Sequence, residues 1–212
     1  MLQRAMLSRR VGKLVLEQIE GLQLLVLPDV FNPAVFRTSP VLVEAIKTHV
    51  RVGMRVLDLG TGTGVAAIAA AAAGAHVTAV DINPEAVRCA RINVLLNRVE
   101  SDVDVRQGDL FAPLAGIRFD VVVCNPPFFS GRPKSARDAA WRSEDFLERF
   151  CTGLDDVLDA SGFALMVFSN HADEQGLMDA LSAEGWRAAS EHARDLRGEV
   201  VTVYRVERGP GR

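Results

Sequence analysis

The sequence predicts an α/β fold, doubly wound around a mainly parallel seven-stranded Rossmann-like sheet with a C-terminal antiparallel hairpin. Three observations carry that prediction. Short β-branched runs alternate with longer amphipathic segments, the runs are apolar at nearly every position, and a glycine string follows the first core run. Near-continuous apolar strands are expected where helices cover both faces of a sheet.

Taken in order, residues 22–27 read as a short strand, 28–38 as a loop, and 39–49 as a helix capped by Ser39 with Pro40 at its first position. Strands follow at 54–59, 76–80, 103–107 and 120–124. Between them, 65–73 and 84–97 read as helices, the second with Asn83 as its N-cap and Pro84 in its first turn. A polar loop then runs to about Arg142, before a helix at 144–158, a strand at 163–168 and a helix at 173–183. Two alternating runs, 186–192 and 199–206, are separated by a short charged turn and form the predicted hairpin. The domain reading is an N-terminal extension over 1–38 that could act as a substrate lid, a core domain over 39–206, and a flexible tail over 207–212.

The chain has 212 residues, 49% of them hydrophobic, which suits one domain of ordinary size. No stretch approaches the roughly 20 apolar residues of a membrane-spanning helix, and no secretory signal stands at the start, so a soluble, cytoplasmic protein is expected. Cys89, Cys124 and Cys151 have neither CxxC nor paired-histidine spacing. They read as reduced core residues, and no metal site is expected. A net charge of −3 gives no global field to gather nucleic acid, although a local basic patch could still do so. At 6% of the chain, aromatic residues are too few for a broad stacking platform.

The first core strand runs into Asp58-Leu59-Gly60-Thr61-Gly62-Thr63-Gly64 and then an alanine-rich helix. Glycines there let the backbone turn tightly and approach a ligand at the carboxyl edge of the sheet. The string also fits the GxGxxA form of a dinucleotide site, so two cofactor classes compete. Charge favours S-adenosylmethionine, because Asp58 could balance a cationic ligand, whereas it would repel a pyrophosphate. Asp81, with Ile82 beside it, closes the second core strand, where a carboxylate accepts from both ribose hydroxyls. After the third strand, Asp109 is placed to accept from an adenine amino group while Leu110 covers the ring. Gly60, Thr61, Gly62 and Gly64 complete the candidate cofactor set.

The fourth strand ends in Asn125-Pro126-Pro127-Phe128. An amide or exocyclic amine attacks a sulfonium methyl poorly, because its lone pair is delocalised, unless the nitrogen is held and rehybridised. The Asn125 side-chain oxygen and the Pro126 carbonyl could accept both N–H bonds, and Asn125 also adjoins the cofactor. Pro126 and Pro127 stiffen the acceptor pair, and Phe128 could stack on the planar group. The ordered set of residues 58–64, Asp81, Asp109 and 125–128 resembles the class I S-adenosylmethionine-dependent methyltransferases that modify planar nitrogen groups. Within them it is similar to the HemK-type branch, which methylates a glutamine side-chain amide. That resemblance implies catalysis by Asn125, Pro126, Pro127 and Phe128.

Other candidates are weaker. Arg37 and Thr38 lie in a segment similar to the family's approach to its first helix. The stretch from Gly131 through Arg132, Lys134 and Arg137, with Trp141 and Arg142 beyond it, could form a substrate lid or a solvated loop. His171 follows the fifth core strand, near the expected substrate rim. The acceptor stays open among a protein glutamine, an RNA exocyclic amine and a small molecule. An NAD-binding oxidoreductase and an inactive cofactor-binding scaffold are the readings outside the class.

Overall fold

The computed structural model describes residues 10–132, 134, 138–196 and 198–209, with Ser130 and Ala139 as backbone only. Its centre is a seven-stranded sheet in the order β10-β11-β9-β6-β3-β4-β5. These strands are β3 (Arg55–Leu59), β4 (His76–Asp81), β5 (Val103–Gln107), β6 (Phe119–Cys124), β9 (Leu158–Ser169), β10 (Trp186–Asp195) and β11 (Val200–Arg208). The first five are mutually parallel, while β11 runs antiparallel to β9 and β10 antiparallel to β11. The winding direction reverses between β3 and β6, which opens a crevice at their carboxyl ends, the usual ligand position in such sheets.

Both faces are covered, and β6 shows how. Val121 and Val123 pack with the helices α1 (Thr38–His49), α2 (Val65–Ala72) and α3 (Pro84–Leu96), while Val122 and Cys124 pack on the other face with α4 (Phe146–Val157) and α5 (Glu174–Ala183). Side chains alternate faces along a strand, so β6 is apolar throughout 121–124, where both faces are covered. All three cysteines are free and buried, and burial raises each thiol, that of Cys151 to about 11.

Local chemistry explains the best-predicted helix. The Asn83 side chain accepts from Glu85 N at 3.0 Å, and Pro84 supplies the fixed φ of a first helical residue. The α1 start differs from expectation. Its cap is Arg37, without a side-chain cap bond, so Ser39 is not the N-cap and Pro40 is not at the first position. Thr38 and Ser39 are both buried, and the Thr38 hydroxyl turns towards Asn125 instead.

The sequence showed only half of the N-terminal hairpin. β1 (Val15–Ile19) pairs antiparallel with β2 (Leu22–Val26) across Glu20 and Gly21, whose φ values of 49° and 91° are those of a tight hairpin turn. At five residues and outside the seven-stranded sheet, β1 is too short an alternating run to stand out in the sequence. Further on, β9 starts at Leu158, five residues ahead of the expected 163, because α4 ends directly in extended backbone there. The predicted 207–212 tail is also shortened, since β11 continues to Arg208 and Gly209 N donates to Gly185 O at 3.0 Å. Residues 210–212 lie outside the described residues. The loop after Asn125 carries two short parallel strands, β7 (Phe129–Ser130) and β8 (Arg142–Ser143).

Candidate active site

The glycine loop lies at the reversal point, stitched to the neighbouring strand. Gly60 N and Thr61 N both donate to Val80 O, at 2.9 and 3.0 Å, and Gly62 N donates to Asp81 Oδ2 at 2.8 Å. Gly64 has φ of 83°, in the left-handed region, and a Cβ there would sit 3.2 Å from both Ala90 Cα and Cβ. Glycine therefore permits both the turn and the close approach of α2 to α3.

The three predicted acids stand at successive strand ends, in different settings. Asp58 is buried, and its Oδ2 accepts from Thr61 Oγ1 at 2.6 Å and from Ala67 N at 3.0 Å. These bonds hold the turn and the first turn of α2. Burial raises its carboxyl to about 6, against the lowering effect of those two bonds. Asp81 spends Oδ2 on Gly62 N and Oδ1 on Asn83 N, at 2.8 and 2.9 Å, and burial raises it as well. Each oxygen keeps a second lone pair for a hydroxyl donor. Asp109 is half exposed and pairs through Oδ2 with Arg149 Nη2 at 2.7 Å. Leu110 beside it has a φ of 49°, and Ile82 is exposed at the rim.

At the end of β6, Asn125 Nδ2 donates to Thr38 Oγ1 at 3.4 Å, and Asn125 Oδ1 is buried with no hydrogen-bond partner among the described residues. An unpaired buried acceptor costs about 1–3 kcal/mol, so it is a feature the fold tolerates for a reason. Pro126 is buried, and Phe128 meets Phe168 edge-on, with ring centroids 5.6 Å apart.

A cavity of about 390 Å³ joins these parts, reaching from Asp81 and Leu110 past Gly60 and Gly62 to Asn125 and Phe128. A second, of about 570 Å³, shares Phe128 and Trp141 with the first and adds Thr38, Arg37 and His171. The wall between them is a cluster of Phe31, Phe36 and Trp141, with centroids 4.2 to 4.9 Å apart. Of this cluster the sequence pointed only to Trp141. Arg149 was also missed, since nothing local marks a partner 40 residues from Asp109. Arg37 donates to Leu196 O at 2.9 Å. Arg142 lies over the Phe129 ring, 5.8 Å from its centroid. Of the basic loop, residues 133 and 135–137 lie outside the described residues.

A family model described as the methyltransferase small domain matches residues 21–189. The chain belongs to that family. This methyltransferase is 32% identical over 180 residues to a Methanocaldococcus jannaschii protein provisionally named a protein N5-glutamine methyltransferase; the match covers 80% of this chain and 87% of that one. It is 44% identical over 95 residues to the ribosomal protein L11 methyltransferase of Desulfitobacterium hafniense, covering 45% of this chain but only 30% of that relative's length. Among solved structures, the T. thermophilus 16S rRNA N2 methyltransferase in complex with AdoMet and guanosine superposes with a TM-score of 0.68 at 22% identity, over 92% of this chain and 50% of that one. That likeness speaks for the class I fold.

The enzyme is an S-adenosylmethionine-dependent methyltransferase, which displaces the NAD-binding reading. The residues present fit that cofactor. Asp81 keeps lone pairs for a ribose, Ile82 and Leu110 offer apolar surface for a base, and the glycine loop leaves backbone uncovered beside the cavity. Among the described residues no helix is long and apolar enough to cross a membrane, and no three or more metal-ligating side chains are grouped.

Proposed function

We propose that this methyltransferase modifies the side-chain amide nitrogen of a protein glutamine, as the HemK-type branch does. The observation that carries the reading is the buried, unpartnered Asn125 Oδ1 at the end of β6, beside a turn stiffened by Pro126 and Pro127. A rigid acceptor without a protein donor suits a ligand N–H. The Methanocaldococcus relative, covered over most of its length, supports glutamine as the acceptor.

When bound, S-adenosylmethionine supplies an electrophilic sulfonium methyl. The chain's part is positioning. Asn125 Oδ1 and the Pro126 carbonyl accept the two N–H bonds of the acceptor amide, which turns its nitrogen lone pair out of conjugation. Phe128, held edge-on by Phe168, stacks on the planar amide, and its ring face tolerates positive charge developing on nitrogen. Thr38 Oγ1 accepts from Asn125 Nδ2, an arrangement that leaves Oδ1 for the acceptor. The alkylated nitrogen is acidic enough to lose its proton without a strong base. Orientation of this kind supplies up to about 7–11 kcal/mol in ideal cases.

The test is transfer of isotope-labelled methyl from S-adenosylmethionine to three acceptor pools, namely ribosomal and release-factor proteins, RNA and small metabolites. Mass spectrometry that places the label on a glutamine side chain is the expected result. Label on an RNA exocyclic amine alone would overturn glutamine while leaving the planar-nitrogen chemistry intact.

A further inference from the structure

Three asparagines run along α3, and each is bonded to the chain that precedes the core. Asn97, its C-cap, accepts from Gln23 N at 3.3 Å and donates to Gln23 O at 2.8 Å. Asn93 accepts from Leu25 N at 2.7 Å and donates to Leu25 O at 2.8 Å. Asn83, its N-cap, donates to Asp29 O at 3.1 Å.

The spacing has a simple origin. Four helical residues advance about 6 Å and two strand residues about 6.6 Å. Side-chain amides four apart on a helix therefore meet alternate residues of a strand. An amide also carries the same donor and acceptor as a peptide group. Asn93 and Asn97 thus act as two rungs of a strand laid against β2.

Asn93 does more than Asn97. It is completely buried, and its Nδ2 also donates to Thr63 O at 2.9 Å, inside the glycine loop. Beyond β2, Asp29, Val30, Phe31 and Pro33 also line the cofactor cavity. One side chain therefore bonds both the strap that closes the cavity and the loop that floors it.

We propose that Asn93 is a positioning residue for S-adenosylmethionine, setting the separation between the N-terminal strap and the glycine loop. Asn97 bonds the strap and Asn93 O but not the glycine loop, at a point remote from the cavity, and so supplies the control. This inference rests on the cofactor and not on the identity of the acceptor, so its test needs no methyl acceptor.

The experiment is calorimetric titration of S-adenosylhomocysteine into wild type, Asn93→Ala and Asn97→Ala, with thermal unfolding of each. Both substitutions lower Tm. Asn93→Ala weakens binding about tenfold or more, while Asn97→Ala leaves it nearly unchanged. Equal loss in the two variants, or none in Asn93→Ala, overturns the proposal. Should Asn93→Ala fail to fold, hydrogen exchange on the wild type decides. S-adenosylhomocysteine is expected to slow exchange of the Leu25 N–H, which Asn93 holds, more than that of the Gln23 N–H, and equal or absent protection overturns the proposal.

Discussion

The two halves of the crevice are finished to different degrees. On the β3-β4-β5 side, the glycine loop is bonded to Val80 O and Asp81, Asp58 is spent on Thr61 and Ala67, and Asp109 is paired with Arg149. On the β6-β9 side, Asn125 has one long bond to Thr38 and an oxygen with no partner, and Phe128 beside it is shared with the second cavity. The half proposed for the cofactor is held largely by the chain's own hydrogen bonds, whereas the half proposed for the acceptor keeps a buried oxygen wholly in reserve. A site that satisfies its own polar groups needs no partner to be stable. One that leaves an acceptor buried and empty is completed by what binds there.

The sharpest way to break this division is Asn125→Ala. If the unpartnered oxygen holds the acceptor nitrogen, turnover on the true substrate falls by about two to three orders of magnitude, the range seen when one aligned polar group of an active site is removed. Affinity for S-adenosylhomocysteine is expected to stay close to wild type. Steady-state kinetics with calorimetry separates the two quantities. Full turnover in the variant would remove Asn125 from the chemistry, and an equal loss of affinity would merge the two halves into one.

The finished half can be tested through its buried carboxylate. Asp58 titrates near 6 in the fold against about 3.9 in an unfolded chain, because burial penalises its charged form. Between those values the folded state binds more protons, so this group's contribution to stability is complete below about pH 4 and is lost as pH rises through about 6. The loss amounts to about 3 kcal/mol. Asp58→Asn keeps an oxygen for Thr61 Oγ1 and Ala67 N without the charge, and is expected to lack that decline. Urea unfolding from pH 4 to 7, read as the difference between variant and wild type, measures it. The difference cancels opposing groups such as Asp120, which Arg55 holds below the usual carboxylate range. Parallel curves would mean that Asp58 is better solvated than its position implies.

What the sequence revealed divides along the same line. Asp58, the glycines, Asp81, Asp109 and Asn125 are each legible, because each sits at the end of an apolar run where parallel strands present their carboxyl edges. The groups that organise them are not. Asn93 lies 68 residues from Leu25 and 30 from Thr63, and Arg149 lies 40 from Asp109. On a helix, an asparagine reads only as a mild helix breaker or a turn former. The α1 cap failed for a related reason. Ser39 and Pro40 form a sound local start signal, but burial of Thr38 and Ser39 against the core moved the helix start.

Thr38 tests how much of the unfinished half is nevertheless fixed in advance. A side-chain amide can turn by half a rotation with little change in shape, and only one orientation offers Oδ1 to an N–H donor. The Thr38 hydroxyl accepts from Asn125 Nδ2, and the amide that makes this bond leaves Oδ1 open to an N–H donor. Thr38→Val keeps the branched shape at a buried position but removes the acceptor. A single hydrogen bond of this kind is worth about 1 kcal/mol, so kcat is expected to fall up to about tenfold, with the KM for S-adenosylmethionine unchanged. Thr38→Ser restores the hydroxyl and most of kcat. Serine performing no better than valine would assign the effect to packing of the lost methyl. Unchanged kcat in Thr38→Val would mean that the acceptor amide itself turns Asn125 as it binds, making the acceptor half less preorganised than its one bond suggests.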